Sequence, residues 1–256
     1  MKTELMKNIP LFLLLLFACA FYSCNNKQPH EVDPEELELK ARVNIIPNYN
    51  GVPMEFNQNY TTQEGYTIEF TKLNFIMTNF KNDGKQLFES AIYKFGDDER
   101  LLWEGIGNYA DFSSFTANIG VDSTQNHEDP SAREADDPLF ILNSGDMHWG
   151  WNPGYIFVML EGKADTSAMQ NGSGMTNFAY HIGNDDLLRN FNFQGLDWLK
   201  VNSQLFELNL NLDLYKIFDG ETEDIDIKTE RTSHTNPGQI ALSEKFIDNF
   251  VEALSN

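Results

Sequence analysis

The stretch 155-YIFVMLEG-162 decides the fold class of this chain. Six apolar residues follow one another from Tyr155 to Leu160. Successive side chains of a strand point to opposite faces of its sheet, so a strand that is apolar at every position is buried on both faces. The stretch therefore predicts a central strand that lies between two layers of structure.

Three segments alternate apolar and polar residues with a period of two, which is typical of strands buried on one face only: 37-LELKARVNI-45, 115-FTANIGV-121 and 205-LFELNLNLDLYKIF-218. Two further segments, 65-GYTIEFTKLNFIMTNF-80 and 85-KQLFESAIYKF-95, lie on either side of Asn82-Asp83-Gly84, which predicts a β-hairpin turn. Two long polar insertions, 122–138 and 162–177, interrupt the pattern.

One helix is predicted, at the C-terminus. Ser243 is expected to cap it, and the residues spaced along one face are apolar: Phe246, Ile247, Phe250, Val251 and Leu254. Many strands with turns between them, and no alternation of strands with helices, predict an all-β fold. We expect an antiparallel β-sandwich with long loops and a short C-terminal helix.

The N-terminus has the pattern of an export signal. Lys2 and Lys7 precede an apolar run, Leu11–Tyr22, that is too short to span a bilayer. Ser23-Cys24 follows at once, which favours cleavage before Cys24 and lipidation of its thiol. The alternative is ordinary secretion, with Cys24 removed or left free.

These features predict three parts: a lipoprotein signal peptide (1–23), a flexible tether (24–36) and a folded domain (37–256). The chain would then lie in the bacterial cell envelope, anchored to a membrane and facing the periplasm or the surface. Its only cysteines, Cys19 and Cys24, precede the domain, which excludes disulfides and thiolate metal sites there. A net charge of −21 disfavours nucleic acid as a partner.

The sequence carries no recognised enzyme motif. It contains no Gly-x-Ser-x-Gly, no His-Glu-x-x-His, no phosphate-binding loop and no Gly-x-Gly-x-x-Gly after a strand. The chain is therefore expected to bind a ligand without catalysing a reaction.

Three of the five histidines lie near predicted strands, namely His127, His148 and His181, whereas His30 and His234 lie in polar segments. Neutral imidazole binds copper and zinc, and the thioether of Met147 suits Cu(I). We expect a metal site where His127, His148 and His181 converge. The alternative is that His127 is solvated and His181 caps a sheet face.

The stretch 147-MHWGWNPGY-155 places two tryptophans two residues apart. An unmodified indole offers one N–H donor and a π face, so Trp149 and Trp151 cannot be ordinary ligands, although they can shield a soft cation. A tryptophan oxidised to kynurenine gains an aromatic amine that can coordinate a metal.

Three blocks in this order, 119-IGVDSTQNHEDP-130, 145-GDMHWGWNPGYIFVMLEG-162 and 178-FAYHIG-183, resemble the MbnP-like family of copper-binding proteins. Members typically show a Gly-Val segment before an Asn-His loop, a Met-x-Trp-x-Trp-x-x-Gly-Tyr block and a His-(Leu/Ile)-Gly block. Outside them, only early strands and a C-terminal Asn249-Phe250 pair are similar.

The resemblance implies a β-sandwich that holds Cu(I) through two histidines and a kynurenine, with a dihaem enzyme as the partner that oxidises the tryptophan. By position, His127 and His181 match the family histidines, and Met147, Trp149 and Trp151 match the central block. His148 occupies a position that varies between members. Either Trp149 or Trp151 is a candidate for oxidation.

Three hypotheses follow. The first is a membrane-anchored lipoprotein that binds copper, as Cu(I), for storage, buffering or delivery. The second is a carbohydrate-binding module of the cell envelope, in which exposed indoles stack on sugars and Asp146 and Asn152 bind hydroxyls. The third is a structural β-sandwich without a metal, in which both tryptophans belong to the core.

Overall fold

The apolar stretch 155–162 leads into a central strand of the larger of two β-sheets. Strand β8 (Val158–Asp165) lies between β4 (Thr67–Asn82) and β9 (Thr176–Ile182) and is antiparallel to both. The side chains from Val158 to Leu160 are all buried. Both faces of this strand are therefore covered, as its sequence predicts.

The computed structural model describes residues 39–96, 100–106, 113–150, 154–196 and 198–256. The predicted signal peptide and tether, the lipidation site Cys24 and the candidate Trp151 lie outside these residues. Within the described parts of the chain, no helix has the length and apolar character needed to cross a bilayer.

The larger sheet has eight strands. They are β3 (Tyr60–Thr61), β4, β5 (Lys85–Lys94), β7 (Ser114–Ile119), β8, β9, β10 (Arg189–Gln194) and β13 (Thr232–Ser233). Their order is β10-β7-β4-β8-β9-β13, and β3 and β5 also pair with β4. The predicted hairpin turn joins β4 to β5, with Asp83 and Gly84 at φ angles of 47° and 79°.

The smaller sheet has six strands. They are β1 (Lys40–Tyr49), β2 (Val52–Pro53), β6 (Leu101–Ile106), β11 (Leu199–Lys200), β12 (Leu205–Asp213) and β14 (Leu254–Ser255). β1 pairs in parallel with β12, from Lys40 opposite Leu205 to Asn48 opposite Asp213. Parallel neighbours need a long connection, and here all strands of the larger sheet except β13 lie between the two in the chain.

The described helices are α1 (Ser123–Asn126), α2 (Ile141–Ser144), α3 (Tyr215–Phe218) and α4 (Ile240–Ala253). In α4, Phe246 stacks on Tyr180 at 4.8 Å between ring centroids, and Phe250 packs edge-on against Phe75 at 5.3 Å. The helix thus closes the core over the larger sheet. Buried side chains from both sheets form one continuous hydrophobic core, which confirms the β-sandwich class.

The predicted cap of this helix is wrong. α4 begins at Ile240 with Gln239 in the cap position, so Ser243 lies inside the helix and is fully buried. Its hydroxyl makes a 2.7 Å hydrogen bond with the hydroxyl of Ser233. A serine that precedes an apolar face can therefore serve a tertiary contact instead of a cap, and this one fixes β13 against the helix.

Candidate metal centre

The stretch around Met147 and Tyr155 folds back on itself. The Trp149 amide donates to the Gly154 carbonyl at 3.0 Å, and the Ile156 amide donates to the Met147 carbonyl at 2.8 Å. Met147 and Tyr155 are fully buried, and the Tyr155 hydroxyl donates to the Leu139 carbonyl. These two arms, 147–150 and 154–156, form the hairpin segment. Its buried members fix where Trp149 and His148 lie.

Asn126 joins this hairpin segment to the first polar insertion. Its Oδ1 accepts from the Tyr155 amide at 2.8 Å, and its Nδ2 donates to Asp185 Oδ1 at 2.8 Å. A Cβ on Gly154 would lie 2.4 Å from Asn126 Oδ1, so glycine is required at this approach. Asp185 follows β9 in the chain, and the amide of Asn126 therefore holds three distant segments together.

Asp185 also orients His127. The Nε2 atom of His127 lies 3.0 Å from Asp185 Oδ2. Burial alone would raise the pKa of Asp185, but hydrogen bonds from Ser123, Asn126 and His127 outweigh it and lower that pKa below its ordinary value. An ionised carboxylate only accepts, so Nε2 must donate, and the neutral ring then carries its free lone pair on Nδ1.

His181, on the larger sheet, is likewise held by a carboxylate. It lies on β9 opposite Met159 of β8, and its Nε2 is 2.8 Å from Glu161 Oε1. Its side chain is 18% exposed and that of Glu161 is 35% exposed. Donation from Nε2 to Glu161 again leaves the lone pair on Nδ1 of the neutral ring.

His234, which the sequence places in a polar segment, lies beside His181. The two rings are perpendicular, with centroids 4.7 Å apart. Burial, and then the neighbouring His181, lower the pKa of His234, which favours the neutral imidazole. A two-residue strand brings it there: β13 runs parallel to β9 with Ser233 opposite Tyr180. No periodicity in the sequence marks so short a strand.

Trp149 covers the end of β9. A Cβ on Gly183 would lie 3.0 Å from Cζ3 of the Trp149 ring and 2.3 Å from the Tyr155 carbonyl oxygen. The half-buried indole forms one wall of a cleft of about 340 Å³, which His127, Asp185 and His234 also line. His127, Trp149 and His234, which are far apart in the chain, thus face the same space.

His148 is oriented differently. Its Nδ1 accepts from the Gly150 amide at 2.9 Å, and burial lowers its pKa. The lone pair of the neutral ring is therefore occupied, and Nε2 carries the proton. With His127, this residue lines a second cleft of about 340 Å³ on the other side of the hairpin segment.

The described residues supply imidazole donors. The chain has no cysteine beyond Cys24, and the candidate thioether of Met147 is fully buried in the core. Among the described residues, no three His, Cys, Asp or Glu side chains lie close enough to hold a metal ion. Imidazoles held by carboxylates are the usual neighbourhood of copper or zinc, and His127 and His181 each have that chemistry, but the cleft that His127 lines with Trp149 and His234 is not lined by His181.

Comparison with known proteins identifies the family of this chain. The sequence model of the MbnP family matches residues 37–238. The chain belongs to the MbnP family. Among solved structures, MbnP from Methylosinus trichosporium is similar with a TM-score of 0.47 and 14% identity, over 71% of this chain and 77% of that one. No curated protein sequence matches the chain. The predicted resemblance to MbnP is thereby confirmed.

The contact between Trp149 and the end of β9 can be tested at Gly183. We expect Gly183→Ala to lower the free energy of unfolding by about 1–3 kcal/mol, because its methyl group collides with the Tyr155 backbone. Urea unfolding measures this change. Gly238→Ala is the matched control, since nothing lies within 4 Å of its Cβ, and it should change stability by less than about 0.5 kcal/mol. Equal stabilities of the two variants would contradict this packing.

Proposed function

We propose that this MbnP protein is an exported, lipid-anchored protein that binds copper, as Cu(I), for storage, buffering or delivery. One observation carries the proposal: His127 and His181 each direct Nε2 to a carboxylate, at 3.0 and 2.8 Å. In metal sites, a ligating histidine typically donates its second ring N–H to such a partner, which fixes the tautomer and raises the basicity of the ligand.

The donor chemistry supports copper over a hard cation. Imidazole nitrogen suits copper and zinc, whereas calcium and magnesium take oxygen ligands. His127 and His181 would bind through Nδ1. The hairpin segment would supply the third donor, which in this family is expected to be the aromatic amine of a kynurenine.

Trp149 is the candidate tryptophan whose position the structure describes. Its indole lines the same cleft as His127 and His234. A dihaem enzyme, the partner that the family resemblance implies, would have to reach this ring, which is half-buried and therefore accessible at one edge. Trp151 lies outside the described residues and stays a candidate.

The carbohydrate-binding alternative finds less support. Stacking on a sugar needs an open indole face, but the ring of Trp149 lies against Gly183 and packs on the hydrophobic core. Asp146, the expected hydroxyl ligand, makes an ion pair with Lys72. A purely structural role leaves unexplained why two histidines are each oriented by a carboxylate.

Cu(I) titration against a coloured chelator tests the proposed site. We expect one Cu(I) to bind tightly, and His127→Ala or His181→Ala to weaken binding by more than the roughly 10–100-fold that loss of a hydrogen-bonding partner causes. His148→Ala is the matched control and should retain the affinity, because its Nδ1 is already occupied. Equal loss in all three variants, or no binding by the unaltered chain, would contradict the assignment.

The carboxylates give a second, independent test. Asp185→Asn and Glu161→Gln keep the side-chain size but remove the charge that orients each imidazole, so we expect Cu(I) affinity to fall by about 10–100-fold. Glu69→Gln is the control, because Glu69 pairs with Lys163 at 2.7 Å and contacts neither histidine. Affinity that is the same in all three variants would show that the carboxylates do not act on bound copper.

A further inference from the structure

One end of the smaller sheet exposes apolar side chains to solvent. Ile106 of β6 is 65% exposed, Leu199 of β11 is 54% exposed, and Val201, just after β11, is 52% exposed. These are three of the six most exposed large apolar residues in the described chain, the others being Val52, Leu142 and Met169. Scattered single residues of this kind are ordinary on a protein surface, but a group of them on one face indicates an interaction surface.

Strand register places the three on the same face. Lys40 of β1 lies opposite both Ile106 and Leu205, and the Val201 amide donates to the Leu205 carbonyl. Directly opposite residues in a sheet point to the same side, and residues two apart in a strand do so as well. Leu199, which lies opposite Glu207, therefore shares the outer face with Val201. These residues lie around Lys40, the first residue of β1. We call Ile106, Leu199, Val201 and Lys40 the β1 end.

The charges between these apolar residues are largely paired. Arg42 makes a 3.0 Å ion pair with Glu207 and also binds Glu104, and Lys40 contacts Glu104 at 3.3 Å. Lys200, between Leu199 and Val201, lies over the ring of Phe206, its register partner, and so points to the opposite face of the sheet. Lys40 and Arg42 thus face two carboxylates over the described positions, in a chain of net charge −21. This surface does not repel phosphate groups as the rest of the protein does.

The β1 end is also where the chain from the predicted lipid anchor enters the domain. Cys24 precedes Lys40 by 16 positions. Sixteen residues span at most about 53–58 Å even when fully extended. An anchor at Cys24 would therefore keep this end of the sheet within that distance of a bilayer surface.

We propose that the β1 end docks on the lipid surface, with Ile106, Leu199 and Val201 at the boundary between headgroups and acyl chains. Lys40 would then face lipid phosphates. This inference rests on the lipid anchor of the proposed function and is independent of copper. A lipid anchor holds the domain at a high effective concentration near the bilayer, so even a weak apolar contact adds to membrane affinity. The anchor and the contact together bind the membrane more firmly than either does alone.

Quenching by lipid-borne nitroxides tests the docking in the full lipidated chain, reconstituted into phosphatidylcholine vesicles. Single cysteines are introduced as Ile106→Cys and Val201→Cys and labelled with an environment-sensitive dye; Leu142→Cys, at an 80% exposed position away from the β1 end, is the matched control. The domain has no other cysteine, so the label is unique once Cys24 carries lipid. We expect quenching at 106 and 201 to exceed that at 142 at least twofold.

A second set of variants links the quenching to the apolar residues. With the dye on Lys40→Cys, we expect the pair Ile106→Ser and Val201→Ser to abolish the excess quenching, and the pair Leu142→Ser and Met169→Ser to leave it unchanged. Quenching at 106 and 201 equal to that at 142 would overturn the docking while leaving the anchor intact. A chain that does not float with the vesicles would overturn the anchor and the docking together, and Cu(I) binding would be unaffected.

Discussion

The carboxylate of Asp185 is the interaction on which the candidate site depends. One oxygen accepts from the Asn126 amide and the other from His127, and the hydroxyl of Ser123 donates to the same group. Asp185 follows β9 in the chain, whereas the groups that donate hydrogen bonds to it lie in the polar insertion after β7. The group that orients His127 therefore also determines where the whole insertion sits, and Asn126 extends the connection to the hairpin segment through the Tyr155 amide.

The two histidines differ in what holds them. His181 lies on β9, between β8 and the two-residue β13, and its position follows from the register between β8 and β9. His127 stands on a short helical turn and depends on Asp185 for its orientation. In the proposed site, one donor would thus be set by the core and the other by a polar network. Such a site would keep one donor fixed while the other adjusts when an ion enters or leaves.

Much of the fold could be predicted from the sequence, because alternation of apolar residues reports which face of a strand is buried. The central position of β8, the hairpin at Asp83-Gly84 and the C-terminal helix follow from such local patterns. Which strands pair does not, since alternation carries no information about a strand's partner. The parallel pairing of β1 with β12 and the position of β13 depend on contacts between residues that are remote in the chain.

The site was predictable to a similar extent. His127, His181 and Trp149 could be named from the family blocks, but the partners Asp185 and Glu161 could not, because acidic residues are too frequent in this chain to single out two of them. His234 was missed for the same reason as β13. His148, which neighbours Trp149 in sequence, is turned to the other side of the hairpin segment by the alternation of side chains along an extended backbone.

The most direct measurement is X-ray absorption at the copper edge on the purified chain loaded with one Cu(I). We predict a low-coordinate copper with at least two imidazole ligands and no sulfur neighbour, and one imidazole fewer in the His181→Ala variant. Sulfur scattering would contradict this assignment, because the nearby thioethers, Met147 and Met159, are buried in the core. An imidazole count that His181→Ala leaves unchanged would contradict it equally.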